Sequence, residues 1–353
     1  VKEDYMKRYI PLGTLTVFII VIFACSYYVF NIREKASQQM QTTAVRHVMV
    51  FSDLPSEINQ EMATVFYQRT GMRVQIRTVS DSNLKYLMSN VETTEKPDII
   101  IATEPVLRMA GANGRLRSFP VVPKEQVSFR FRDKNRRWLG LWYNPTVFVV
   151  RSEYYQIHGV NIQGWEDLIV ENKARIAVPD FAATDMAGDL LCTLVEVNGI
   201  QKMKTYLQAI QQNSVSYAKT LSISARRVAS GEVDIGVVDG AHARQYQKDG
   251  APMVMVYPKE GTAYWLTGVG VTIWNHDDEF SNRFLEWLFS EDIVQILQKN
   301  KIFVDFTTPM IHQEADVQGK SLRVFPVRKE YTEEGRLALQ EWWVRTIRFG
   351  KDN

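Results

Sequence analysis

The stretch GEVDIGVVDGAHARQY, residues 231–246, decides how the rest of the chain is read. An apolar run from Ile235 to Val238 ends by placing a carboxylate, Asp239, on a Gly-Ala-His turn. Short apolar runs bounded by turn residues are the mark of strands buried on both faces, as in parallel α/β sheets. A carboxylate at the end of such a strand has two readings. It caps the helix that follows, or it meets a ligand beyond the carboxyl end of the strand.

Working outward, strand and helix signals alternate from Val45 onward, which is the pattern of α/β architecture. RHVMVF is a strand, and SDLPSEINQEMATVFYQRTG is a helix capped by Ser52 or Asp53 and ended by Gly71. Ile58, Met62, Val65 and Phe66 share one face of that helix. MRVQIRTV and PDIIIA are strands, with the helix DSNLKYLMSNVE between them. LGLWYNPTVFVVR is a long aromatic and β-branched run. ARIAVPD leads into the helix ATDMAGDLLCTLVEVNG, and APMVMVYPKEG and TGVGVTIW add two more strands. Helices follow at EFSNRFLEWLFSEDIVQILQKN and near TEEGRLALQEWWVRTIRF. There Leu339, Trp342, Trp343 and Ile347 form a face suited to packing.

The composition fits a globular chain: of 353 residues, 45% are hydrophobic and 23% charged. A formal charge of +2 leaves no electrostatic footprint for nucleic acid. The two cysteines, Cys25 and Cys192, have no metal-type spacing and offer no framework of disulfides.

Residues 10–30, IPLGTLTVFIIVIFACSYYVF, carry no charge and are long enough to span a bilayer as a helix. Lys2, Lys7 and Arg8 precede the run, and Tyr27, Tyr28 and Phe30 close it as an interfacial belt. Lipidation at Cys25, in IFAC, is the alternative to an uncleaved anchor. Residues 31–44 are polar and aperiodic, as a tether is. The chain is therefore expected at the cell membrane, with a single-pass anchor and its soluble part outside the cytoplasm.

Several segments, in this order, resemble the type II periplasmic solute-binding proteins of ABC transporters, in the ferric-iron and 2-aminoethylphosphonate branch. They are VFSDLPSEINQEMATVFYQRTGMRV, PDIIIA, RRWLGLWYNP, ARIAVPDFAATDMAG, ASGEVDIGVV and VYPKEGT, between about Val48 and Pro309. The resemblance implies an α/β, two-lobed fold with crossing hinge strands, preceded here by one transmembrane helix. One lobe would be residues 45–142 plus 264–317, the other 143–263, with a helical extension at 318–353. The hinge would fall near Tyr143 to Pro145 and Glu260 to Thr262. The ferric-binding members carry adjacent tyrosines after the strand that matches DIGVV. This sequence reads Asp239-Gly240-Ala241-His242 at that place, which argues against iron held by such a pair.

Ligand-binding candidates are the groups at strand ends. Ser52 and Asp53 follow the first strand, and Glu104 follows PDIIIA, where an ordinary solvated acid is the plainer reading. Ala183 and Thr184 open a helix, where free N–H groups and a hydroxyl suit an anion. Thr220 and Ser222 open another, Tyr143 lies at the first crossing, and Asp239 and His242 follow the opening strand. The remaining histidines, His47, His158, His276 and His312, are scattered.

The nucleophile-elbow, zincin and P-loop patterns are absent, and QGKS at 318–321 lacks the leading glycine. No catalytic residue, metal site or cofactor is expected. The expected function is capture of a small polar solute (a zwitterion, a phosphorylated compound or a metal–anion complex) in an interlobe cleft, and its delivery to an ABC permease. The alternative is a sensory subunit that reports occupancy to a membrane partner such as a sensor kinase.

Overall fold

The computed structural model describes residues 27–28, 48–90, 94–118, 127–158, 161–170, 174–212, 215–308, 315–325 and 332–350. The chain divides into two units, Val1–His47 and Val48–Asn353. In the first, only Tyr27 and Tyr28 are described, as exposed helical residues. The expected anchor and tether otherwise lie outside the described residues, among which no helix is long and apolar enough to cross a membrane.

The second unit alternates strand and helix as the sequence pattern predicts. Its first half contains β1 (Val48–Ser52), α1 (Ser56–Thr70), β2 (Val74–Thr78), α2 (Asp81–Ser89), β3 (Ile99–Thr103) and α3 (Glu104–Ala112). The long β4 (Trp138–Arg151) follows, then α4 (Ser152–His158), α5 (Asp167–Val170), β5 (Ile176–Pro179), α6 (Asp185–Asn198) and α7 (Ile200–Gln212). Next come β6 (Val215–Ala218), α8 (Leu221–Ala229), β7 (Ile235–Asp239), α9 (Gly240–Lys248), β8 (Met253–Val256) and β9 (Tyr264–Val271). The chain continues through α10 (Asp278–Leu288), α11 (Glu291–Lys299), β10 (Asp305–Phe306) and α12 (Glu333–Trp343). A π-helical turn over Val344–Arg348 continues α12.

The strands run in the order β2-β1-β3-β9-β4-β7-β5-β6, and β8 and β10 also pair with β4. β1, β2 and β3 are parallel, as are β5, β6 and β7, while β4 and β9 run antiparallel to each other between the two groups. β4 can serve both groups because it is apolar along nearly its whole length and buried on both faces. Its approach to β9 is close, since a Cβ on Gly268 would lie 2.3 Å from the Leu139 carbonyl oxygen. Only glycine permits that crossing.

Two lobes follow from where the apolar side chains are buried. One core gathers residues of β1 to β3, the start of β4, β9, α10 and α11. Ile58, Met62 and Phe66 of α1 enter it, and Phe66 meets Phe280 and Phe284 edge-on at 5.5 and 5.1 Å. The other lobe holds residues 147–257 in two clusters, joined by Phe325, Trp343 and Ile347 from the end of the chain. Trp343 is fully buried, edge-on to Phe181 at 5.4 Å and Tyr217 at 5.3 Å. Burying a side chain of this kind stabilises a fold by about 1.5–3 kcal/mol or more.

Candidate functional site

The register of the central strands sets the two lobes' strand ends against each other. β3 ends at Thr103, which pairs with Thr267, and Thr267 pairs with Trp142. From the other side, β7 ends at Asp239, opposite Thr146. The carboxyl ends of β3 and β7 thus point towards each other over four residues of β4, about 13 Å of strand. Loops and helix starts that leave parallel strands at such ends form the crevice where open α/β sheets bind ligands.

On the first lobe's side, Ser52 is fully buried and its hydroxyl accepts the Leu54 N–H at 3.1 Å. Neither Ser52 nor Asp53 caps α1, contrary to the sequence reading. Pro55 takes the cap position, and no side chain bonds there, because the chain turns before the helix begins. Asp53 is instead left facing its own kind. Burial, then the nearby charge of Asp81, push its carboxyl up to about 7, against the pull of the Asp53 and Thr103 backbone N–H groups. Its Oδ1 is buried without a hydrogen-bond partner among the described residues. Asp81 is held by the Thr103 hydroxyl at 2.6 Å and by Lys85 at 2.8 Å. Glu104 is not the solvated acid its turn position suggests. It is 2% exposed at the start of α3, and Arg108, one helical turn on, binds it at 2.5 Å.

At the crossing, Tyr143 is buried, stacked on Phe131 at 5.0 Å and edge-on to Tyr264 at 5.6 Å. The ring packs between these neighbours where β4 and β9 cross.

On the second lobe's side, three helices begin at the carboxyl ends of β5, β6 and β7. Thr184 caps α6 by accepting the Ala187 N–H at 3.2 Å. The exposed Ala183 closes the preceding turn, donating its N–H to the Asp180 carbonyl at 3.0 Å. Thr220 stands at the cap position of α8 without bonding its backbone, its hydroxyl 2.9 Å from that of Ser222. An N-terminus without a side-chain cap leaves N–H groups for an anion. Asp239 caps α9 through the His242 N–H at 3.1 Å and also receives the Asn144 amide at 3.0 Å. The His242 ring nitrogen Nδ1 lies 2.8 Å from its other oxygen. Burial would raise the Asp239 carboxyl, but His242 and Asn144 more than reverse it, so it lies below its ordinary range. His242 is raised in turn, chiefly by its hydrogen bond to Asp239.

The register thus brings Asp53, Thr184, Thr220, Ser222 and His242 to facing strand ends, whereas Ser52, Glu104 and Tyr143 are engaged within their own lobe. Three contributors escaped the sequence reading. Asn144 bridges the crossing to α9, donating to Asp239 and accepting the Ala241 N–H at 3.0 Å. Asp81 follows β2 and was legible from the same strand-end rule that selected Asp53. Arg244 of α9 forms a buried ion pair with Asp305 at 2.6 Å, and Asp305 lies in register with Tyr143. A pairing 61 residues apart leaves no local signature.

Among the described residues, no group of three or more His, Cys, Asp or Glu side chains converges as a metal site would require. Residues 48–300 match the family of bacterial extracellular solute-binding proteins. The chain belongs to that family. A protein of Haemophilus influenzae is 27% identical over 194 residues, 53% of this chain and 56% of that relative. The Fe(3+)-binding periplasmic protein of Serratia marcescens is 21% identical over 269 residues, 74% of this chain and 79% of that relative. Two of the solved structures that share the fold illustrate it. The periplasmic binding protein AfuA of Actinobacillus pleuropneumoniae, with fructose-6-phosphate bound, superposes with a TM-score of 0.62 at 20% identity, over 86% of this chain and 98% of its own. The Bordetella ferric binding protein gives 0.69 at 15% identity, over 86% and 98%. The fold is that of the type II periplasmic solute-binding proteins. Family and fold are those of binding proteins rather than enzymes.

Proposed function

We propose that this chain is an extracytoplasmic solute-binding protein, held at the cell membrane by residues 10–30, which traps a small polar solute and delivers it to an ABC transporter. Its lobes would be residues 45–142 plus 264–317 and 143–263, with 318–353 as an extension from which Phe325, Trp343 and Ile347 enter the second core. The observation that carries this reading is the facing of Thr103 and Asp239 across four residues of β4. Capture needs no chemistry. A ligand that touches both sets of strand ends binds the closed arrangement better than the open one and shifts the population towards it.

The two sides suit different parts of one solute. The starts of α6 and α8, with Thr184, Thr220 and Ser222, suit an anionic group such as a phosphate. Asp53 suits a hydroxyl or ammonium donor, since its Oδ1 lacks a partner among the described residues. A phosphorylated polyol or a zwitterion has both ends. The relatives that bind ferric iron support a metal–anion complex less well, because Asp239 is already committed to Asn144 and His242.

The test is mass spectrometry of small molecules released from the purified protein, with a thermal-shift screen of sugar phosphates, phosphorylated amines and ferric citrate. A phosphorylated solute that raises the melting temperature, and loses that effect in Thr184→Val with Thr220→Val, supports the reading. Stabilisation by ferric citrate alone would overturn the ligand class. No stabilisation by any of them, and nothing released, would overturn the trap itself.

A further inference from the structure

The end of the chain brings a guanidinium to the edge of the second lobe where α6 and α8 begin. Residues 332–350 lie beyond those that match the family, and they reach the turn between β5 and α6. Gln340 donates to the Phe181 carbonyl at 2.7 Å, and a Cβ on Gly188 would lie 2.5 Å from its Nε2. Arg336 pairs with Asp185 in the first turn of α6. Arg348 pairs with Asp180, the residue that follows β5.

Arg348 owes its place to the π-helical turn Val344–Arg348. Residues five apart do not face each other on an α-helix, whereas the wider winding sets Arg348 over the Trp343 ring at 5.7 Å. Tyr217, the last residue but one of β6, holds the same guanidinium over its ring at 5.1 Å. Two rings and a carboxylate therefore fix it near the carboxyl ends of β5 and β6. Docking of the tail does not depend on it, because Gln340, Trp343 and Ile347 are buried. The Arg348 side chain is 33% exposed. A guanidinium has five N–H donors, and among the described residues only Asp180 accepts a hydrogen bond from this one. Lys219, directly after β6, is exposed and has no hydrogen-bond or ion-pair partner among the described residues.

Asp180 links the arginine to the anion side of the candidate site. Its Oδ1 accepts the Ala182 N–H at 3.1 Å and its carbonyl the Ala183 N–H at 3.0 Å, in the turn that ends at the Thr184 cap. We propose that Arg348 is a specificity-determining residue, which binds a phosphoryl group of the captured solute in exchange for the Asp180 carboxylate. The proposal rests on the reading that the starts of α6 and α8 take an anionic group, and it narrows that group. A phosphate ester carries nearly two charges and three acceptor oxygens, so it outcompetes a single carboxylate for the guanidinium fork. Lys219 suits the second charge. A solute carboxylate would gain nothing over Asp180.

The experiment is calorimetric titration of the full chain with glycerol 3-phosphate, inorganic phosphate and glycerate. The two phosphates should bind and glycerate should not. Arg348→Gln should weaken phosphate binding by about tenfold or more. Asp180→Asn keeps an Oδ1 for the Ala182 N–H but removes the competing charge, so it should tighten binding by about threefold. If Arg348→Gln lowers the melting temperature, Asp180→Asn still decides, because a ligand contact and a mere prop for the turn differ in the sign of its effect. Weakening by both variants would make Arg348 that prop and overturn the proposal. So would unchanged affinity in Arg348→Gln, or glycerate bound as tightly as glycerol 3-phosphate, and either would leave solute capture standing. A wild-type chain that binds neither phosphate removes the anion reading of α6 and α8, and this proposal with it.

Discussion

Asp53 and Asp239 occupy matching places, each at the carboxyl end of a buried strand of its lobe, yet their surroundings drive them in opposite directions. Asp239 gathers a helix N-terminus, an imidazole and an amide, and its carboxyl falls below the ordinary range despite burial. Asp53 has no helix start to cap and has Asp81 for a neighbour, and its carboxyl climbs to about 7. The difference lies in where the next helix begins. α9 starts directly at Gly240, so Asp239 is its cap, whereas α1 starts at Ser56, beyond Pro55. One acid is part of the scaffold, and the other retains binding capacity.

The sharpest way to break this comparison is Asp239→Ala. It leaves the Asn144 amide, the His242 ring and the α9 N-terminus without their acceptor, at a cost of about 2–4 kcal/mol. Urea denaturation would measure it, and a loss below about 1 kcal/mol would show that Asp239 is no scaffold residue. Asp53→Asn should act in the other sense. A group whose folded pKa lies above its unfolded value contributes stability that is present below 3.8 and lost as pH rises through about 7. Above that range the wild-type protein buries a charge that the variant lacks. Asp53→Asn should therefore be more stable by about 1–3 kcal/mol near pH 8, with the advantage vanishing below the ordinary carboxylate range. A pH-independent difference between the two melting curves would refute the raised carboxyl.

Next in size is Thr184→Ala, which removes the cap that accepts the Ala187 N–H and should cost about 1 kcal/mol. Thr220→Ala should cost less, because its hydroxyl makes no capping bond. Thermal melts of the two variants side by side check the ranking. Equal losses would mean that α8 depends on Thr220 as α6 does on Thr184.

The alternation of strands and helices was legible because each buried strand is a short apolar run closed by turn residues. PDIIIA and DIGVVD are examples, the six residues 97–102 and 234–239. The strand-end rule selected Asp53, Thr184, Thr220 and Asp239 as candidates from the same pattern. It could not say which acid would be satisfied. That depends on Asn144, 95 residues from Asp239, and on whether a proline separates the acid from its helix. Glu104 was misread because Arg108, one turn along, decides its burial, and pairing is invisible in a turn motif. The buried ion pair Arg244–Asp305 joins two segments that only the folded sheet brings together.

The smallest expected effect tests the link between the Asp239 side of the comparison and pH. His242 is raised above 6.5, first by its hydrogen bond to Asp239 and then by that residue's charge, against the opposing effect of burial. Its contribution is fully present below 6.5 and lost as pH rises through the folded value. Asp239, being lowered, contributes above 3.8 and loses that contribution as pH falls through its own folded value. The pair is therefore strongest between those two limits. Because the His242 side chain is 47% exposed, solvent screening keeps its share to about 0.5–1 kcal/mol. His242→Ala should lower stability by that amount near pH 6 and by progressively less as the medium becomes alkaline. An NMR titration of the imidazole in the wild type and in Asp239→Asn separates the causes. The raised value should fall back towards 6.5 once the carboxylate is gone, and a value that stays raised would place its origin elsewhere than Asp239.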